Sequence, residues 1–156
     1  MGRSMPELSL PDEVGVLNGL LQCELSSFLT YRHVLDKLKG SPGTGQLSRF
    51  VSEHEASAEA LRQRIRALGG RPVDNPGIWG RWSEGVVDTD RIVGTVADLD
   101  ALKQEEQQSA AEYRRALSHP RLSRDCRELI ECSLLPRVEL HLELVNQLLA
   151  GAPPNF

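Results

Sequence analysis

Apolar side chains recur three and four residues apart in four separate stretches of this chain, and that period dictates amphipathic helices. The first stretch sets Val14, Leu17, Leu21, Glu24, Phe28, Tyr31, Leu35 and Leu38 along one seam. The second sets Leu47, Phe50, His54, Ser57, Leu61, Ile65 and Leu68. The third carries Ile92, Val96, Leu99, Leu102, Glu106, Ala110, Tyr113 and Leu117. The fourth carries Leu129, Ile130, Leu134, Leu135, Val138, Leu142, Val145, Leu148 and Leu149, with Arg137 and His141 on the edge of the stripe. Aromatic residues make up only 4% of the chain, so aliphatic side chains must fill the core, a palette suited to helix packing. Four helices that are each apolar along one face bury those faces most simply against one another, as an all-α bundle.

The breaks between the stretches agree. Pro11-Asp12-Glu13 opens the first helix with residues that suit a first turn. Gly40-Ser41-Pro42-Gly43-Thr44-Gly45 separates it from the second, expected over 46–68, which Gly69-Gly70 and Pro72 close. Residues 69–88 are rich in Gly and Pro and too many for a simple turn, which predicts a crossover running the length of the bundle. Trp79 and Trp82 would pin that strap, with a helical turn over 78–82. Asp88-Thr89-Asp90 starts the third helix and His119-Pro120 ends it. The fourth runs over 123–149, and Pro136 inside it predicts a kink. The expected organisation is a tail at 1–10, a bundle over 11–150 and a second tail at 151–156.

A chain of 156 residues is the size of one domain that can build a core without disulfides. Its three cysteines, Cys23, Cys126 and Cys132, form no disulfide framework and fit a reducing compartment. Net charge is −4, so no basic surplus points to nucleic acid or to an anionic membrane. No apolar run approaches the ~18–20 residues of a membrane helix, and residues 1–13 lack the apolar core of a signal peptide. The expectation is a cytoplasmic protein that self-associates, as a dimer, through an outer helix face.

Two glutamates interrupt the apolar seams, Glu24 and Glu106, each followed seven residues later by a tyrosine, Tyr31 and Tyr113. The second and fourth helices each carry one histidine beside an apolar seam, His54 and His141. A buried carboxylate needs a cation, a proton or hydrogen bonds, because bare burial costs several kcal/mol. Glu and His from facing helices are the ligand set of metal-carboxylate bundles. Glu24, His54, Glu106 and His141 are therefore candidate ligands, with Glu53 as an addition. The opposing expectation is a metal-free network in which Arg137 lies level with Glu24 and Glu106 and neutralises them, while the histidines bond the tyrosines. Helix ends at Leu38 and Gln46 favour that view. Glu24 is fourteen residues from its end and His54 eight from its own, an offset of about 9 Å at ~1.5 Å per residue. The same counting sets Glu106 opposite 134–137, with His141 farther along. His33 and His119 are expected at the surface and at a helix end. Cys126 and Cys132 are six apart and do not share a helix face. The charged stretches 62–66 and 103–108 read as solvated faces.

The pattern resembles the ferritin-like superfamily, in particular the small bacterial ferritin-like domains of unknown function. The resemblance spans about 14–149. It rests on Glu53-His54-Glu55 followed by Leu61 and Leu68-Gly69-Gly70-Arg71-Pro72, on Glu106 with Tyr113-Arg114-Arg115-Ala116-Leu117, and on Leu17-Asn18-Gly19-Leu20-Leu21. It implies an antiparallel four-helix bundle with a long crossover between helices two and three. In the metal-binding branches it also implies a di-iron centre, built from one Glu on helices one and three and a Glu-x-x-His on helices two and four. Glu24 and Glu106 match the single-Glu positions. Val51 and Val138 stand where the Glu of each Glu-x-x-His would be, and Ser57 where related domains often have His. Three readings follow. One is a ferritin-like protein that binds iron or another divalent metal, with a metal-handling or oxidative-stress role. Another is a bundle without metal that serves as a structural or interaction module. The third is an enzyme with a small organic substrate under the Trp79/Trp82 strap.

Overall fold

The computed structural model describes residues 12–38, 40, 44–77 and 95–151. They form four helical rods and no strand among the described residues. Helix α1 spans Glu13–Lys37, α2 spans Thr44–Ala67 and α3 spans Thr95–Leu117. The fourth rod is continuous: α4 over Arg124–Leu129, a π turn over Ile130–Leu134, and α5 over Leu135–Leu149.

Local chemistry sets the ends. The Asp12 carboxylate accepts from the Gly15 N–H at 2.8 Å and caps α1. Ser123 caps α4 through the Cys126 N–H, and its own N–H donates to Glu13 at 2.8 Å, joining the start of the first rod to the start of the fourth. After α2, the Gly69 N–H donates to Arg66 and the Gly70 N–H to Ile65, both at 2.9 Å. Gly69 has φ +78°, so this is a left-handed stop that glycine adopts without penalty. Gly70 is also a close approach, because a Cβ there would lie 2.6 Å from Val14.

The pairs between rods give the directions. Val14 lies against Gly70 and Glu24 against His54, so α1 and α2 are antiparallel. Glu24 meets Tyr113 and Tyr31 meets Glu106, so α1 and α3 are antiparallel too. Arg64 reaches Asp125 and Glu53 reaches His141, which makes α2 and the fourth rod antiparallel. Hence α2 and α3 run in the same direction, and the chain joining them starts at one end of the bundle and finishes at the other. Its first residues follow α1: Asn18 donates to the Arg71 carbonyl at 3.1 Å and accepts from the Val73 N–H at 2.9 Å. The expected start of α3 near residue 88, the turn over 78–82 and the strap tryptophans Trp79 and Trp82 lie outside the described residues.

Among the described residues, the expected seams are the buried faces. Leu17, Leu21, Leu61, Ile65, Leu102, Ile130, Leu134 and Val145 are all nearly or wholly inaccessible. Each buried aliphatic side chain contributes about 1.5–3 kcal/mol relative to exposure. These residues do not form one uninterrupted core. One cluster centres on Leu17, Leu21, Leu61, Ile65 and Ile130; the other centres on Val34, Leu47, Phe50, Leu102 and Val145. The ionisable residues sit in the layer between them.

Just before Pro136, where the sequence predicts a kink, the fourth rod carries a π turn over Ile130–Leu134. The Leu135 N–H donates to the Ile130 carbonyl, five residues back, just before the proline removes the next donor. The wider turn holds one more residue than an α turn, so it rotates the positions after it by about 100° and lowers them by ~1.5 Å. No helix of the described residues is long and apolar enough to cross a membrane.

Candidate metal centre

The five residues singled out from the sequence stand together in the polar layer. Glu24, His54, Glu106 and His141 are at most 1% exposed. The His54 ring bridges two carboxylates, with Nδ1 2.7 Å from Glu24 Oε2 and Nε2 3.0 Å from Glu106 Oε1. The His141 ring does the same on the other side, with Nδ1 3.0 Å from Glu106 Oε1 and Nε2 2.6 Å from Glu53 Oε2. Each tyrosine donates to the glutamate of the opposite helix. Tyr31 donates to Glu106 Oε1 at 2.6 Å, and Tyr113 donates to Glu24 Oε1. The seven-residue repeat seen in both helices thus closes into a crossed pair, because α1 and α3 run antiparallel.

The expected height mismatch is halved. Helix α1 ends at Lys37 and α2 begins at Thr44, so Glu24 lies thirteen residues from its end and His54 ten from its own. The remaining offset of three residues is about 4.5 Å, within reach of a glutamate and a histidine side chain. On the fourth rod, the π turn re-aims His141 from the stripe's edge into the centre of the bundle, where it is fully buried.

Arg137 does not neutralise the buried glutamates. Its guanidinium donates to Ser57 Oγ at 2.8 Å and to the Glu53 carbonyl at 3.4 Å. Ser57, where a histidine was expected in relatives, is the seat of that arginine. Nor do the histidines bond the tyrosines; both ring nitrogens of each face carboxylates.

The two carboxylates facing its ring favour the protonated form of His54. Burial alone would lower its pKa, but the Glu106 and Glu24 carboxylates outweigh burial and raise it to about 10. Burial would raise Glu106, but the His54 charge and the hydrogen bonds of His141 and His54 bring it down to about 2. Burial, then the neighbouring carboxylates, push both tyrosines well above their usual range, so they stay protonated donors. Despite its partial burial, Glu53 is held below the usual carboxylate range by its bonds to His141 and Arg49.

One group was missed in the sequence. Glu105 lies in a stretch that read as solvated, yet it is 6% exposed. Ser27 donates to it at 3.1 Å, Ser26 also bonds it, and Ser109 and Cys23 complete a polar patch between α1 and α3. Burial raises the Glu105 carboxyl to about 7 against the pull of these hydroxyls. The signal was the row of small polar residues facing it, Cys23, Ser26 and Ser27 on α1 with Ser109 on α3. His33 and His119 stand apart from the centre, half-buried. Cys23 and Cys126 are buried free thiols, and Cys132 is exposed.

The two carboxylate oxygens of Glu106 differ. Its Oε1 takes three donors, whereas Oε2 is buried and has no hydrogen-bond partner among the described residues. One ligand atom from each of His54, Glu106 and His141 lies within 4.8 Å of the others. Donors bound to one cation at ~2.0–2.2 Å stand roughly 3–3.5 Å apart; both histidine distances to Glu106 Oε1 are 3.0 Å, and the three ligand atoms as a group lie within 4.8 Å. This is the group that could hold one cation. A symmetric pair would call on four carboxylates, and here there are three, because Val51 and Val138 pack in the apolar clusters and Glu53 alone supplies an extra carboxylate beside a histidine.

None of the curated proteins matches this chain. Among solved structures, it is similar to one described as "ferritin like, diiron-carboxylate proteins" from Bacillus anthracis str. Ames, with a TM-score of 0.68 and 19% identity over 87% of this chain and 94% of that one. At that identity the likeness shows the fold, which is ferritin-like. Residues 12–119 match the family model described as "Domain of unknown function (DUF2383)". A match over that much of the chain makes it a member of the DUF2383 family, built as a ferritin-like bundle.

Proposed function

We propose that the bundle binds one divalent cation, iron or a metal of similar ligand preference, through His54, Glu106 and His141. Glu24 and Glu53 flank it, and the role is metal handling or defence against oxidative stress. The observation that carries this reading is Glu106 Oε2, which has no hydrogen-bond partner among the described residues. A fully buried carboxylate oxygen without a partner costs free energy that a cation would recover. Two imidazoles and one carboxylate with further positions open are the donor set of non-haem iron sites. When bound, the metal would supply Lewis acidity and, as iron or manganese, electron exchange with oxygen species. The chain's own residues orient the donors: Tyr31 and Tyr113 fix the Glu106 and Glu24 carboxylates by hydrogen bonds.

A second reading is supported by the bridge that His54 makes between Glu24 and Glu106. Such a bridge balances charge without metal and suits a structural or interaction module. Anaerobic titration of chelator-treated protein with Co(II) separates the two. The metal reading expects visible absorption bands that saturate at one ion per chain, confirmed by elemental analysis, and binding at least about 100-fold weaker in Glu106→Gln. A folded wild-type protein that takes up no ion supports the module instead.

A further inference from the structure

We propose that Glu53 is the portal carboxylate of the bundle: a divalent cation meets Glu53 first, between α2 and α5, and passes from it to the buried His54–Glu106–His141 set. This rests on the metal-binding reading above and assigns Glu53 to the passage of the ion rather than to its final hold.

Two other approaches, along the axis and between α1 and α3, are closed among the described residues. Along the bundle axis the polar layer is plugged by an apolar cluster on each side, and an ion stripped of water does not cross such a plug. Between α1 and α3, Cys23, Ser27 and Ser109 are at most 2% exposed and Glu105 is 6% exposed. On the α2–α5 side, the Glu53 side chain is 22% exposed while its His141 partner is 0% exposed. No other carboxylate bonded to this cluster reaches water to that extent among the described residues.

Glu53 also has a hold at each end of the passage. Its Oε2 lies 2.6 Å from His141 Nε2, facing in, and its Oε1 accepts from Arg49 Nε at 2.8 Å, facing out. The Arg49 side chain is 62% exposed, so this pair is weak and readily exchanged for a cation from solvent. A carboxylate at the water boundary can replace part of an ion's hydration shell before the ion leaves water. Movement then falls to Glu53. The His141 ring is stacked on Phe50, with centroids 4.2 Å apart and planes 29° apart, whereas Glu53 turns about three side-chain bonds.

The test is stopped-flow mixing of anaerobic, chelator-treated protein with Co(II), followed by its visible absorption, with equilibrium titration alongside. Glu53→Gln is expected to slow uptake about tenfold or more. Its end point of one ion per chain should stay that of wild type, and its affinity should fall by less than its rate, through the lost bond to His141. Release to a chelator must then slow as well. Glu53→Asp restores much of the rate, and Arg49→Gln speeds uptake about twofold by removing the competitor. Far-UV circular dichroism and the unfolding midpoint establish that each variant folds. Uptake by Glu53→Gln at the wild-type rate overturns the proposal. So does a lowered end point, or an affinity lowered by as much as the uptake rate with release unchanged, which would make Glu53 a holding ligand and leave the metal reading intact. Failure of wild type itself to take up Co(II) removes the metal reading and this inference with it.

Discussion

Glu106→Ala is expected to cost the metal-free fold about 3–5 kcal/mol, the range found when one partner of a buried charged group is removed. Glu106 is fully inaccessible, and its Oε1 accepts from Tyr31, His54 and His141 together. Removing it strands a phenol and an imidazolium edge in a layer sealed by apolar clusters and leaves a cavity as well. For a domain of this size the loss lowers Tm by roughly 6–20 °C. Urea unfolding monitored by circular dichroism checks it: the midpoint should fall with little change in slope. Glu106→Gln should cost less than alanine, because it keeps the volume and an acceptor, yet it should remain defective in cation binding because it lacks the charge. A Glu106→Ala protein as stable as wild type would mean that the network carries no such burden.

The second large effect is on pH. Glu106 has a folded pKa of about 2 against an ordinary 4.5, so its contribution is full above pH 4.5 and is lost as pH falls toward 2. His54 has a folded pKa of about 10 against 6.5, so its contribution is full below pH 6.5 and is lost as pH rises through 10. Glu105, raised to about 7 from 4.5, favours the folded state below pH 4.5 and loses that contribution as pH rises through 7. Metal-free protein is therefore expected to be most stable in mildly acidic solution and to weaken by on the order of a few kcal/mol between about pH 6.5 and 10. Urea midpoints across that range measure it, and His54→Gln should flatten the alkaline limb. A bound cation replaces the His54 proton, so metal should stabilise the fold more at about pH 9 than at about pH 6 and release protons on binding. An alkaline limb unchanged by metal would contradict a cation at His54.

The four-rod bundle was legible because the 3–4 period leaves helices few ways to hide their apolar faces. The glutamates were legible for the same reason, since Glu24 and Glu106 break seams that are otherwise apolar. Which group pairs with which was not. The Glu-to-Tyr repeat acquires its crossed partners only once α1 and α3 are known to be antiparallel. Heights depend on helix ends, and moving the start of α2 from 46 to Thr44 and the end of α1 from 38 to Lys37 halved the apparent offset between Glu24 and His54. The π turn was the least legible feature: its phase shift falls where Leu129, Ile130, Leu134 and Leu135 are apolar in either phase, yet it aims His141 inward and sends Arg137 to Ser57. Glu105 was missed because a seam marks the centre of a buried face, and Glu105 lies on its flank, sheltered by small residues on the facing helix.

The claim on which the account turns is that the unpaired oxygen of Glu106 is a metal ligand. Anomalous diffraction from a crystal grown with Mn(II) or Co(II), recorded above and below the absorption edge, tests it directly. One peak per chain is expected, about 2.0–2.2 Å from Glu106 Oε2, the oxygen without a partner among the described residues, and from a ring nitrogen of both His54 and His141. A well-ordered bundle with no peak in the polar layer, or with the ion held only at the surface, would contradict it.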